Sequence, residues 1–475
     1  MPAPNPFLAL DRQIIGDIHT SNEVMDNLTV LCDEFGSRFP GTPGERRAVE
    51  FMQEKMRAYG LHDVHAEPFA YGGWSRGQAT LEILQPVQKT LPCISLPYAP
   101  AATVEALLVD MGEGHPDDFT ARAGEIAGQI VLTTSENPAG MSRGVHRSEK
   151  YGRSLLAGAA GFLFVNHYPG TGPVTGGIGH EGGPGAIPGL GLAYEDGRYL
   201  QRLLERHGQV RLRLTTTDIN QPSTSWNVVG DQPGATHPDE IVMVGCHYDG
   251  HDISQGAGDP ASGAVAVLEA ARVLAQYTRP ARTMRFVLWG VEEIGLIGSA
   301  AYAQAHADEL DCIRFYLNLD AAGTSADIQD IVLNEWPELT PLFERWKTEM
   351  ADTFDIGQSV HSFSDHFPFF VQGVPTSCME RANRRPSSGR GYGHTHYDTL
   401  DKVEIGPLRV ASERAARWLL RIANEENWPI TRRTPEAAQA LLDTPAYREA
   451  AELRAQVDAF YAARQPNAPN NPTSP

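Results

Sequence analysis

The chain has 475 residues, 41% of them apolar, and sets 59 Asp and Glu against 39 Lys and Arg, a formal charge of -20. That length is too great for one compact core, so two domains are expected. The negative field repels phosphate backbones and anionic lipid surfaces, which argues against nucleic acid or a membrane as partner. Five scattered cysteines, Cys32, Cys93, Cys246, Cys312 and Cys378, form no CxxC pair and read as reduced core residues rather than a disulfide framework or a thiolate metal site.

The first residues, MPAPNPFLALDRQIIGD, lack a cationic segment and a sustained apolar run, and no apolar stretch is long enough to span a bilayer. A cytoplasmic location is expected. From residue 22 a helical pattern breaks at GSRFPGTPG (36–44) and resumes at Glu45 as an amphipathic helix ending near Gly60. Residues 64–69 and 78–84 read as short strands, and a Pro-punctuated passage at 86–100 marks a boundary. Strand and helix patterns then alternate over 101–216, with glycines dense between 170 and 191. Those glycines serve tight turns, because no GxGxxG or GKS/T context is there to cradle a phosphate. At SWNVVGD, from Ser225, the first domain resumes. Strands are expected at 226–229, 241–246, 285–291, 313–319 and 376–379, alternating with helices. Such alternation predicts a mixed, mostly parallel α/β sheet with helices on both faces and sites outside the carboxyl ends of its strands. The expected organisation is a discontinuous domain of 1–100 and 217–433, an inserted smaller α/β domain of 101–216, a helical extension at 434–464 and a disordered Pro/Asn-rich tail at 465–475.

Residues 241–263, IVMVGCHYDGHDISQGAGDPASG, hold the densest chemistry. A β-branched run delivers His247 and Asp249 to the end of a buried strand. After a Gly-rich turn, Asp259 stands at the N-cap position before Pro260, and a helix is expected over 261–277 with Ala264, Val267, Leu268, Ala271, Leu274 and Ala275 at helical spacing. Two more strands end in carboxylates, Glu292-Glu293 after RFVLWGV and Asp320 after FYLNL, and a His-rich loop, GYGHTHYDT, occupies 391–399. Singly, each has a bland reading as a core histidine, a charge favoured at a helix N-terminus, or a cap. Trp289 reads as sheet core. Together they are oxygen and imidazole donors of a kind that suits zinc.

In order and spacing, HYDG with GAGDPASG, WGVEEIGLIGSAAY, NLDAAG and HTHYDT resemble the dizinc exopeptidases of metallopeptidase family twenty-eight, the carboxypeptidase Q branch most and bacterial leucine aminopeptidases also. DEFGSRFPGTPGERRAVEFM and SWNVVGD are similar to this family too, and the insert resembles its protease-associated domain, most of all at IPGLGLAYEDG. The resemblance implies the phosphorylase/hydrolase-like fold of these enzymes and two Zn2+ per chain, with Co2+ or Mn2+ as substitutes. His247 and Asp320 would hold one ion, Glu293 and His394 the other, and Asp259 would bridge them. Three ligand carboxylates against two dications leave one positive charge, which a bridging hydroxide would cancel. Glu292 is the implied general base, and Asp249 is expected to fix the tautomer of His247. His394 is chosen over His396 because the family's ligand stands four residues before the acidic residue, here Asp398. The ligand set leaves no position for His251 and Asp252, which are expected to shape the loop or contact substrate. One departure is that the family often shows two acidic residues where Gly258 here precedes Asp259 and Pro260 follows it.

An aminopeptidase must bind an α-ammonium, and a carboxypeptidase an α-carboxylate. The segment MERANRRPSSGRGYG offers Glu380 for the first and Arg381, Arg384, Arg385 and Arg390 for the second, and the sequence leaves the choice open. Asp365 and His366, in a Ser364-Asp365-His366 run that resembles a family motif near the substrate pocket, are further expected substrate contacts, as is Arg381. Glu380 and the family favour an aminopeptidase or dipeptidase acting on peptides, with a carboxypeptidase Q type of activity as the alternative. A metal-free binding scaffold and a cyclase of N-terminal glutamine are disfavoured by the complete ligand set. The sequence allows a homodimer.

Overall fold

The computed structural model describes residues 5–141, 143–324, 329–382 and 391–464. They divide into two compact units, one made of the residues up to Gly73 with Gln221–Ala440, the other of Trp74–Asn220 with the residues from Leu441 onward.

The first unit is built on eight strands, β1 (His62–Ser75), β2 (Ile219–Gln232), β3 (His237–His247), β4 (Arg282–Trp289), β5 (Ile313–Asn318), β6 (Asp330–Val332), β7 (Ile356–Gly357) and β8 (Thr376–Glu380), in the spatial order β1-β2-β4-β3-β5-β8-β6-β7. The central strands β4, β3, β5 and β8 run parallel, with Val244 opposite Phe286 and Leu317 and Tyr316 opposite Thr376. Strand β2 pairs antiparallel with β4, and β6 antiparallel with β8 but parallel with β7, so the sheet is mixed as expected. Burial on both faces explains the unbroken apolar runs. On one face Val242, Val244, Phe286, Leu288 and Leu317 pack against α1 (Ser262–Tyr277) and α2 (Ile405–Asn424). On the other, Met243, Val287, Trp289 and Tyr316 pack with Tyr302 and Phe369. Each such buried side chain contributes about 1.5–3 kcal/mol.

Gly263 sets how closely α1 approaches the sheet. A Cβ there would lie 2.1 Å from the carbonyl oxygen of Leu319 and 2.8 Å from Cys246 Sγ, so the first turn of α1 can sit directly beside the ends of β3 and β5.

The second unit carries its own eight-stranded sheet, in the order Lys89–Leu91, Ala79–Gln85, Arg211–Thr216, Ala102–Asp110, Ile130–Thr134, Gly161–Val165, Gly189–Leu192, Ile94–Ser95. Its boundary falls at 73/74 rather than at the expected 100/101. The reason is pairing: Leu81 lies opposite Leu91 on one side and Leu214 on the other, which commits residues 79–91 to this sheet. The C-terminal helix Arg448–Ala462, expected as a separate extension, also belongs here. Glu449 accepts from Arg143 at 3.0 Å and Arg153 at 2.8 Å, and the Tyr461 hydroxyl accepts from the amide of Ala186 at 3.0 Å. The expected disordered tail lies outside the described residues. No helix among the described residues is long and apolar enough to cross a membrane.

Candidate metal centre

The parallel strands end together, and their ends carry the titratable groups. His247 is the last residue of β3, Glu292 and Glu293 follow β4, and Asp320 follows β5. His247 Nε2 lies 3.3 Å from Asp259 Oδ1, 3.4 Å from Asp320 Oδ1 and 3.9 Å from Glu292 Oε2. His394 Nε2 lies 3.2 Å from Asp259 Oδ2 and 3.5 Å from Glu293 Oε2. The carboxylate of Asp259 therefore presents one oxygen to each histidine. His396 is exposed and outside this arrangement.

The donor atoms of His247, Asp259 and Asp320 all lie within 4.8 Å of one another, as do those of His251, Glu293 and His394. Both sets are the nitrogen and oxygen donors that zinc takes, so the residues fit a pair of bound cations. His251 is the member that sequence reasoning left out. Its Nε2 lies 3.0 Å from Glu293 Oε2 and 3.3 Å from His394 Nδ1. The only signal for it was its place in HYDGH, two residues past Asp249.

Three supports were not foreseen in full. A short π-helical turn, Ala257–Ala261, runs straight into α1 at Ser262, and within it Asp259 alone has extended backbone, φ -122° and ψ 100°. Asp398 holds this turn, Oδ1 accepting from Gly258 N at 2.7 Å and Oδ2 from Asp259 N at 3.0 Å, and it thereby fixes where the Asp259 carboxylate sits. Asp249 was expected to fix the tautomer of His247. It is the Asp249 main-chain carbonyl that lies 3.0 Å from His247 Nδ1, placing the ring proton there and turning Nε2 to the carboxylates. The Asp249 carboxylate, 3.7 Å from that nitrogen, accepts from the amides of Glu292 at 3.0 Å and Glu293 at 3.3 Å. Finally, Trp289 does more than fill the core. Its indole donates to Tyr316 OH at 2.7 Å, Tyr316 to Asn318 Oδ1 at 3.0 Å, Asn318 to Ser364 Oγ at 2.7 Å, and Ser364 to Asp320 Oδ2 at 2.8 Å. This chain of donors leads from the sheet interior to Asp320 and orients it.

The break at GSRFPGTPG acquires a purpose as well. The fully buried guanidinium of Arg38 donates to the carbonyls of Leu31, Tyr248, Gln255 and Gly256, bracing the loop that carries His251. Backbone strain gathers at the same place. Val291, Ala321 and His394, each adjacent to a site carboxylate or itself in the site, have φ of 62°, 53° and 60°. Left-handed conformations of non-glycine residues cost about 1–3 kcal/mol each and persist where surrounding structure enforces them.

Electrostatics point the same way. Burial pushes the Glu292 carboxyl well above the usual range, against the pull of His247 and aided by Asp320, Asp365 and Glu293. Burial lifts Glu293 to about 7 despite His394 and His247, and lifts Asp365 to about 7 despite His247. For Asp320, burial is the strongest single influence, but the bonds to His247 and Ser364 and the charges of His247 and His361 together outweigh it and lower its pKa. For His247, burial is outweighed by Glu292, Asp249 and Asp320, which raise it well above its ordinary value. Mutually repelling buried carboxylates of this kind mark functional sites and are relieved by a cation.

Of the expected substrate contacts, Glu380 ends β8 and lies 3.3 Å from His361 Nε2, and Arg381 follows it, half-buried. Asp365 and His366 are fully buried. His366 meets His361 and Cys378 rather than either cluster above. Arg384, Arg385 and Arg390 lie outside the described residues.

Residues 227–419 match the model of peptidase family M28, and residues 85–200 that of the PA domain. Carboxypeptidase Q of Bos taurus is 29% identical over 422 residues, which cover 84% of this chain and 84% of that protein. Leucine aminopeptidase 2 of Trichophyton rubrum is 29% identical over 294 residues, 61% of this chain and 55% of that protein. The solved structure of a peptidase M28 precursor from Shewanella amazonensis matches 90% of this chain and 98% of its own, at a TM-score of 0.75 and 25% identity.

Proposed function

From a chain that belongs to peptidase family M28 and is a metalloexopeptidase with a PA domain, we propose an aminopeptidase or dipeptidase that uses a pair of zinc ions and Glu292 as general base. Asp259 carries this reading, with one carboxylate oxygen 3.3 Å from His247 and the other 3.2 Å from His394. His247 and Asp320 would hold one ion, Glu293 and His394 the other, and Asp259 both. Bound there, two divalent cations polarise the scissile carbonyl and acidify the attacking water.

The protein's own groups do the rest. Glu292, buried beside the ligand carboxylates, would act as the carboxylate, taking a proton from the attacking water and returning it to the leaving amine. Asp249 fixes the backbone of Glu292 and Glu293, so base and ligand keep a constant offset. His251, its Nε2 3.0 Å from Glu293 Oε2, steadies that carboxylate. Replacing His394 by Ala is expected to lower bound zinc by about one ion per chain, whereas His396→Ala leaves it unchanged. Zinc content after dialysis checks this, and the reverse result would move the ligand by two residues.

Glu380 at the end of β8 supports recognition of a free ammonium. The alternative is a carboxypeptidase, favoured by the relative of that name matched over 84% of both chains and by Arg381 beside Glu380. One tripeptide in free, N-acetylated and C-amidated forms decides between them, with products identified by mass. Loss of the first residue from the free and amidated forms is expected. Loss of the last residue, including from the acetylated form, would establish the carboxypeptidase instead.

A further inference from the structure

We propose that His361, His366 and Cys378 form another metal site, separate from the two clusters above, that takes one borderline-soft cation such as zinc. One ring nitrogen of each histidine and the Cys378 sulfur all lie within 4.8 Å of one another. Around a bound zinc with bonds of about 2.0–2.3 Å, tetrahedral donors stand roughly 3.3–3.8 Å apart, so the three need close by no more than about 1.5 Å. The rings of His361 and His366 meet edge to face, with centroids 4.6 Å apart and planes at 80°, which lets both present a nitrogen to one point. Cys378 and His366 are 4% and 0% exposed, so the site is shielded, while His361, with 16% of its side chain exposed, leaves a way in.

Residues two apart on a strand share a face, and Glu380 stands two past Cys378 on β8, its Oε1 3.3 Å from His361 Nε2, beside the cluster rather than in it. Two imidazoles and a thiolate are a donor set for zinc rather than for calcium or magnesium. Cys378 is reduced and buried as expected, and a bound ion gives its thiol a role besides packing. An ion here would tie segment 361–366 to β8. Ser364 lies in that segment and donates to Asp320, so the site would also brace a residue of the metal centre.

The thiolate makes the test selective, because the two clusters at the sheet ends offer only nitrogen and oxygen. Metal-stripped protein is reloaded with cobalt(II), and cobalt per chain is measured together with near-ultraviolet absorption. The unaltered chain is expected to show a thiolate-to-cobalt charge-transfer band. Cys378→Ser should lose that band and about one cobalt per chain, keeping the remainder. If Cys378→Ser does not fold, His361→Gln at its partly exposed position reads the same loss of one ion. Absence of the band in the unaltered chain, or a band and cobalt content unchanged in the folded variants, overturns the proposal.

Discussion

Glu292→Gln is expected to lower kcat by roughly 10²–10⁴-fold while leaving KM and metal content near those of the unaltered chain, the range typical of losing a general base. Glutamine keeps the shape and the backbone amide that Asp249 holds at 3.0 Å, so the site should stay assembled. What it loses is the ability to accept a proton. Glu292 faces His247 Nε2 at 3.9 Å, farther than Asp259 or Asp320, which suits a group beside the ligands rather than among them. Steady-state kinetics with a peptide substrate, alongside zinc analysis of the same samples, checks both halves. A variant within tenfold of the unaltered rate would shift the role to another buried carboxyl, with Asp365 the first candidate, since it too is lifted to about 7.

Asp259→Ala is expected to abolish turnover and to remove most of the stabilisation that zinc confers. Both histidines take their carboxylate contact from this residue, so its loss weakens two ligand sets together. Binding to the folded state alone stabilises by about 4 kcal/mol when the metal stands at a thousand times its Kd. The variant should therefore gain less in Tm from added zinc than the unaltered chain does. Thermal melts of both chains with and without zinc test this. An equal zinc-induced rise in Tm for both would show that Asp259 does not join the two ligand sets.

Much of the centre was legible because its residues sit where local pattern alone speaks. His247, Glu292, Glu293 and Asp320 each follow an apolar run that could only be a buried strand, and parallel strands bring their carboxyl ends to one edge. What stayed hidden depended on contacts far along the chain. Asp398 holds the amides of Gly258 and Asp259 across 140 and 139 residues, and no helix rule foretells that contact. Arg38 reaches Tyr248 over 210 residues. The inserted unit begins at Trp74 because strand Ala79–Gln85 pairs with Arg211–Thr216, while the prolines at 86–100 suggested a later border. Cys378 and His361 are apart in sequence and look ordinary alone, so only the fold brings them together.

The most direct measurement strips the protein with a chelator, removes the chelator by dialysis and titrates zinc back, while release of a single terminal residue from a free tripeptide is followed by mass. The stripped chain is expected to be inactive and to recover as zinc is restored, and Glu292→Gln to take up the same zinc without recovering. Hydrolysis by the stripped chain, or equal recovery by Glu292→Gln, would contradict a metal-dependent exopeptidase that works through Glu292.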